Sequence, residues 1–214
     1  MIKAVVFDAG ETLIDESRQW RMWADWLRLP VESFTAALHT VIQRGEHHHR
    51  VFEKLIPGFD LEAAREERRK AGIPDVFGVT DLYPDVEPCL RKLRGRGLRI
   101  GIAGNQPAGF EEIVRSIGLP VDFVASPSLW SVEKPSPAFF QKIMRELNLP
   151  ADELAYVGDR LDNDVLPARA AGMIAVFIAR GPWGTVHARR PEAVQADLQL
   201  TSLTGLPDAL ATLT

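Results

Sequence analysis

The chain has one cysteine, Cys89, in 214 residues. A lone thiol excludes an internal disulfide framework and a cysteine-based zinc site, leaving Cys89 as a small residue on a helix face. Long apolar runs are also missing: those present reach strand length, short of the ~18 residues that suggest a membrane span. The opening Met1-Ile2-Lys3 leads into no signal-like apolar stretch, so the expected location is cytoplasmic and no membrane partner is expected. Nor is positive charge in excess. A formal net charge of −4 with both signs interspersed offers no basic field for a polyanion, which argues against nucleic acid as a partner. Internal repeats and low-complexity tracts are absent from the sequence. What is present is a 46% apolar composition, enough for a core domain with a modest insertion.

Residues 3–7 (Lys-Ala-Val-Val-Phe) form a short apolar, β-branched run that ends at a turn, the pattern of a buried strand. From Ser17 to Lys70 no strand pattern occurs. Trp20, Trp23 and Leu27 recur there at helical spacing, as do Phe34, Leu38 and Val41. Pro30, Gly45, Pro57-Gly58 and Gly72-Ile73-Pro74 punctuate the block where helices must stop, which predicts about four helices. After Tyr83-Pro84-Asp85, helices alternate with strands. Helices are expected through Leu90 and Leu93 and over 111–117, 138–147 and 165–171, with strands over 98–103, 123–125, 154–157 and 174–178. This alternation predicts an α/β fold: a doubly wound parallel sheet from residues 1–15 and 82–214, with a helical domain inserted at 16–81. Such sheets gather ligand chemistry at the carboxyl ends of their strands, where Asp8, Asn105 and Asp159 fall.

Asp8, delivered by the first strand into the turn Ala9-Gly10-Glu11-Thr12-Leu13, is the leading candidate nucleophile. The stretch from Val5 to Leu13 resembles motif I of the haloacid dehalogenase superfamily, hydrolases dominated by phosphatases, whose usual form is Asp-x-Asp followed by Gly-Thr. The first acid is kept, and Gly10 stands where the second is usual. Ile100 to Asn105 resembles motif II, with Gly104 in place of the usual Ser or Thr. Glu133-Lys134-Pro135 resembles motif III, and the segment from Val157 to Asp164 resembles motif IV. The four occur in family order, so the resemblance covers essentially the whole chain. It implies a Rossmann-like core with a helical cap.

The resemblance assigns one Mg²⁺ to Asp8, Asp159 and the backbone carbonyl of Gly10, hard oxygen ligands suited to that ion. Asp8, Lys134 and Asp164 are the expected catalytic residues. Lys134 would neutralise repulsion between Asp8 and a phosphoryl dianion, and Asp164 would hold Lys134 and the waters around the ion in place. Thr12, Gly104, Asn105 and Lys134 are the expected substrate-binding residues, Gly104 and Asn105 through their backbone amides. The expected reaction is hydrolysis of a small phosphorylated metabolite through an aspartyl-phosphate on Asp8. Two pieces of that machinery are missing. Without an acid at position 10 the leaving group gains no proton donor, a contribution of ~10²–10⁴-fold. Without a hydroxyl at position 104 one phosphoryl hydrogen bond goes, on the order of 10²-fold. The chain is therefore expected to be a slow alkyl phosphatase, or to act on acyl or aryl phosphates whose leaving groups need little protonation.

Other features carry less. Glu11 is the obvious substitute for the missing acid, but it lies one residue out of register and reads as a solvated or turn-stabilising residue; Asp15 and Glu16, in the hinge, are further candidates of the same kind. Asp162 matches no motif position and reads as a solvated turn residue. Three consecutive histidines, His47 to His49, cannot share one helix face and read as solvated surface. Trp20, Trp23 and Trp26 read as the core of the helical insertion. Arg65, Arg68, Arg69 and Lys70, interleaved with Glu62, Glu66 and Glu67, read as a salt-bridged helix surface. Trp130 reads as packing near the site rim, and Gly181 to Gly184 as a turn after the last major strand. Three competing readings remain: a 2-haloacid dehalogenase, which likewise lacks the second acid; a phosphonoacetaldehyde-type carbon–phosphorus hydrolase, needing Lys54 or Lys70 as a Schiff base; and a catalytically weak regulatory protein binding metal and phosphate. A monomer and a homodimer fit the sequence equally.

Overall fold

A computed structural model describes residues 1–213. Among them the strands are β1 (Ala4–Phe7), β2 (Arg99–Ala103), β3 (Phe123–Ala125), β4 (Leu154–Gly158), β5 (Ile174–Ile178) and β6 (Leu198–Leu200). The helices are α1 (Ser17–Trp26), α2 (Val31–Gln43), α3 (Arg50–Leu55), α4 (Leu61–Lys70), α5 (Val86–Gly95), α6 (Phe110–Ile117), α7 (Pro127–Trp130), α8 (Pro137–Leu147), α9 (Leu166–Ala170), α10 (Gly181–His187) and α11 (Leu206–Ala211). The strands form one all-parallel sheet in the order β3-β2-β1-β4-β5-β6, with β1 paired to β2 and β4. Every residue of β1 and β4 is buried, the mark of a sheet covered by helices on both faces. One core cluster joins Val6 and Tyr156 of the sheet to Phe139, Phe140 and Ile143 of α8.

Two compact units divide the chain: Met1–Asp15 with Leu82–Thr214, and Glu16–Asp81. The second is helical. Trp23 fills its interior, 4.7 Å between centroids from the ring of Phe52, which in turn packs on Phe34 at 5.7 Å. Arg18 near its start grips Asp81 at its end with a two-pronged ion pair at 2.6 and 2.7 Å. In the sheet unit, Ile14 and Leu82 form an antiparallel bridge, so the chain leaves and re-enters that unit side by side.

Four departures of the structure from the sequence pattern stand out. Strand β6 is too short, at three residues with Gln199 exposed, to stand out from a loop; pairing with β5 makes it a strand. Residues 181–187 form helix α10 rather than a turn, because Pro182 in its first turn suits helix initiation. Helix α7 likewise begins with a proline, Pro127. The fourth departure is Arg68. It is fully buried, its guanidinium 3.9 Å above the Trp23 ring and 2.5 Å from Asp75, whereas Arg65, Arg69 and Lys70 pair with carboxylates on the surface. A charge-rich helix hid one cation that belongs to the core.

Arg68→Ala is expected to destabilise the helical unit by about 2–4 kcal/mol, through lost aromatic packing and the loss of one of the two arginines that pair with Asp75. Arg69→Ala, on the exposed face, leaves the transition unchanged. Urea unfolding followed by tryptophan fluorescence separates the two.

Candidate active site

Asp8 follows β1, Gly104 follows β2 and Asp159 follows β4, so adjacent parallel strands bring three sequence-distant positions together. Lys134 arrives from the loop between α7 and α8. It is 3% exposed, and its ammonium donates to Asp8 Oδ1 and Asp164 Oδ1, each at 2.6 Å. Asp164 reaches inward because the backbone opens into a wide turn after Asp159, in which the amides of Asp164 and Val165 share the Arg160 carbonyl at 3.0 and 3.1 Å. Its second oxygen accepts the Arg160 amide at 3.0 Å. Gly158 makes the approach possible: a Cβ there would lie 2.4 Å from the Asp164 carboxylate.

Asp8, Asp159 and Asp164 are all buried and each offers an oxygen within 4.8 Å of the others. Three carboxylates against the single Lys134 ammonium leave two negative charges uncompensated when all are ionised. Burial, then the charges of Asp164, Asp8 and Glu11, hold the Asp159 carboxyl well above its usual range. Burial raises Asp164 to about 6, against the opposing pull of Lys134. Burial alone would lower the Lys134 pKa, but Asp164 and Asp8 drive it well above its usual value, so the ammonium stays charged. Asp159 Oδ2 is buried without a hydrogen-bond partner. An orphaned carboxylate oxygen in a pocket with two surplus negative charges fits a divalent cation bound by hard oxygen ligands.

The candidate substrate-binding residues are placed less simply. The Gly104 amide donates to Ala125 O at 3.3 Å, so it is committed to the sheet rather than offered to a phosphoryl group. The absent side chain at 104 also has a steric reason, since a Cβ would stand 2.4 Å from Asp8 Oδ1. Asn105 clamps the Lys134 backbone through both ends of its amide, Nδ2 to Lys134 O at 2.9 Å and Oδ1 from Lys134 N at 2.8 Å. Its side chain therefore positions Lys134. Thr12 is buried, its hydroxyl without a hydrogen-bond partner and its carbonyl held by Arg180. Asp162 is exposed and forks to Arg160, as a solvated turn residue does.

Two groups escaped the sequence reading. Arg180 ties Thr12 to Asp85, donating to both Asp85 oxygens at 2.8 and 3.0 Å, and lies 3.9 Å over the Tyr83 ring. No motif marks it; only the tertiary fold brings residues 12, 83, 85 and 180 together. The other is the clustering of the histidine triplet, which the sequence reads as solvated surface. The triplet lies in the segment before α3, where the helix-face objection does not apply, and the rings gather with centroids 4.3–4.7 Å apart, His48 and His49 half-buried.

An acidic centre at the carboxyl ends of the central strands of a parallel sheet lies where open α/β folds present their ligand sites. Residues 2–172 match the profile of the haloacid dehalogenase-like hydrolases. Glyceraldehyde 3-phosphate phosphatase of Methanopyrus kandleri is 31% identical, over 91% of this chain and 91% of its own length. The enzyme of that name from Methanocaldococcus jannaschii is 26% identical over 100% of this chain and 99% of its own. A subfamily IA hydrolase of the superfamily from Geobacter sulfurreducens superposes with a TM-score of 0.69 at 20% identity, covering 98% of this chain and 96% of that one. The chain belongs to the haloacid dehalogenase-like hydrolase family.

Gly104→Ala is expected to lower stability by about 1–3 kcal/mol by overpacking against Asp8; denaturant titration measures it, and Gly104→Ser should likewise fail to restore a productive hydroxyl. A pH effect follows from His187, fully buried, whose Nδ1 accepts the Leu161 amide at 2.9 Å. Burial lowers its pKa from 6.5 to about 4, with the charges of Arg190 and Arg160 acting the same way and Asp162 opposing. The unfolded chain thus binds the proton more readily, and stability falls as pH drops from 6.5 toward about 4. His49, lowered to about 4 chiefly by burial, adds to the same limb. His187→Gln, which retains an acceptor, should flatten that limb in unfolding midpoints recorded against pH.

Proposed function

We propose that the chain is a Mg²⁺-dependent phosphatase that hydrolyses a small phosphorylated metabolite through an aspartyl-phosphate on Asp8. The observation that carries this reading is the pairing of Asp8 with Lys134 at 2.6 Å beside the orphaned oxygen of Asp159. Asp8, Asp159 and the Gly10 carbonyl would hold the ion, which supplies positive charge opposite the phosphoryl oxygens. Lys134 keeps Asp8 oriented and adds a second positive charge as charge develops on the transferring group. Asp8 Oδ attacks phosphorus and the bond to the leaving oxygen breaks; water then attacks the acyl phosphate, returning Asp8 and releasing phosphate. Asp164 and Asn105 act through Lys134, fixing its ammonium and its backbone respectively. Position 10 offers no proton to the leaving oxygen, which favours substrates with good leaving groups. The two relatives' names make glyceraldehyde 3-phosphate the first alkyl ester to test.

The inserted helical unit is proposed as the cap that selects the substrate. A panel of glyceraldehyde 3-phosphate, other phosphate monoesters, acyl phosphates and 2-haloacids, with and without Mg²⁺, tests the reading. Mg²⁺-dependent phosphate release that Asp8→Asn abolishes is the expected result. Chloride release without metal would overturn it in favour of a dehalogenase, and no turnover of any member would favour a binding protein. Gly10→Asp is expected to raise turnover of an alkyl phosphate by up to ~10²-fold, the lower end of what a placed acid supplies.

A further inference from the structure

The turn after Asp8 contains a residue held against its own preferences. Glu11 has a φ of +52°, a left-handed conformation that glycine adopts freely and other residues resist. It is also 4% exposed, although carboxylates are seldom buried unless something holds them. Tyr83 and the segment leaving β5 hold this one. The Tyr83 hydroxyl donates to Glu11 Oε2 at 2.6 Å, and burial together with the Glu11 charge keeps that phenol un-ionised. Gly181, itself at φ +67°, presents bare backbone: a Cβ there would stand 2.5 Å from Glu11 Oε2 and 2.6 Å from Glu11 Cβ. Next to it, Arg180 donates to the Thr12 carbonyl and lies over the Tyr83 ring. Residues 11 and 12 are thus both tied to the segment leaving β5.

A purely space-filling role would not require this arrangement, because glycine at position 11 would meet no backbone resistance. The consequence lies one peptide earlier. The Gly10–Glu11 peptide is planar and trans, so its carbonyl points opposite to its N–H. That N–H, on Glu11, donates to Ile14 O at 2.7 Å, and this bond together with the φ of Glu11 restricts the rotation of the plane. We propose that Glu11 is a positioning residue that locks the Gly10 carbonyl toward the acidic centre, where a divalent cation would be held. The inference rests on reading that centre as the Mg²⁺ site of a phosphatase. It deepens that reading by naming what orients the Gly10 carbonyl: a buried side chain acting from outside the ligand set.

Mg²⁺ titration calorimetry on the metal-free full chain tests this in wild type, Glu11→Gly, Glu11→Gln, Gly181→Ala and the Glu11→Gly/Gly181→Ala double variant, with circular dichroism confirming the fold of each. Glu11→Gly is expected to weaken Mg²⁺ binding about tenfold or more, the size seen when groups that orient metal ligands are removed. Glu11→Gln retains an acceptor for Tyr83 and should recover part of the loss. Gly181→Ala pushes a methyl into Glu11 and should weaken binding in the wild-type background, yet add little in the Glu11→Gly background. Wild-type affinity in Glu11→Gly would overturn the inference, and so would a Gly181→Ala effect that persists in full without Glu11. A wild type that neither binds Mg²⁺ nor hydrolyses phosphate esters with it would instead overturn the phosphatase reading beneath it.

Discussion

The Lys134 ammonium, set between Asp8 and Asp164, is the contact on which the rest of the site depends. Three buried carboxylates within reach of one another repel strongly where solvent cannot screen them, and a pocket of this kind folds only if something positive stands inside it. Lys134 meets that need in part. Its backbone is clamped by Asn105 and its side chain rests 5.5 Å from the Tyr156 ring, whose hydroxyl donates to Ala103 O. Each support comes from a different stretch of chain, so the charge arrangement exists only once the sheet has assembled.

Small residues let the acids converge. Gly104 and Gly158 lie where any side chain would strike Asp8 or Asp164. The glycine in motif II therefore has a positive reading: it makes room for the Asp8 carboxylate as Lys134 holds it. A hydroxyl missing by family comparison and a contact permitted by geometry are two descriptions of one position. Gly181 plays the corresponding part for Glu11, so three acidic side chains around the site each rest against a glycine.

Much of this was legible in the sequence, for identifiable reasons. Buried parallel strands such as β1 and β4 are runs of apolar residues, and the acids that end them, Asp8 and Asp159, advertise the strand ends. Lys134 and Asp164 were legible because motif spacing carries them. The roles of Asn105, Arg180, Tyr83 and Glu11 were not. Their partners are distant in sequence, 29 residues for Asn105 and Lys134 and 72 for Tyr83 and Glu11, and no periodicity encodes such a meeting. Arg68 failed for a different reason: composition reports that a helix is charged, not which of its cations turns toward a tryptophan.

The antiparallel bridge between Ile14 and Leu82, with the Arg18–Asp81 fork just beyond it, joins the two ends of the inserted helical unit at its base. A segment tied off in this way closes its loop once, and lengthening a closed loop adds little further entropy. The sheet therefore registers the insertion as a short connection between neighbouring points, whatever number of residues lies within it. The catalytic half and the helical half can change independently, each free to be altered without renegotiating the fold of the other.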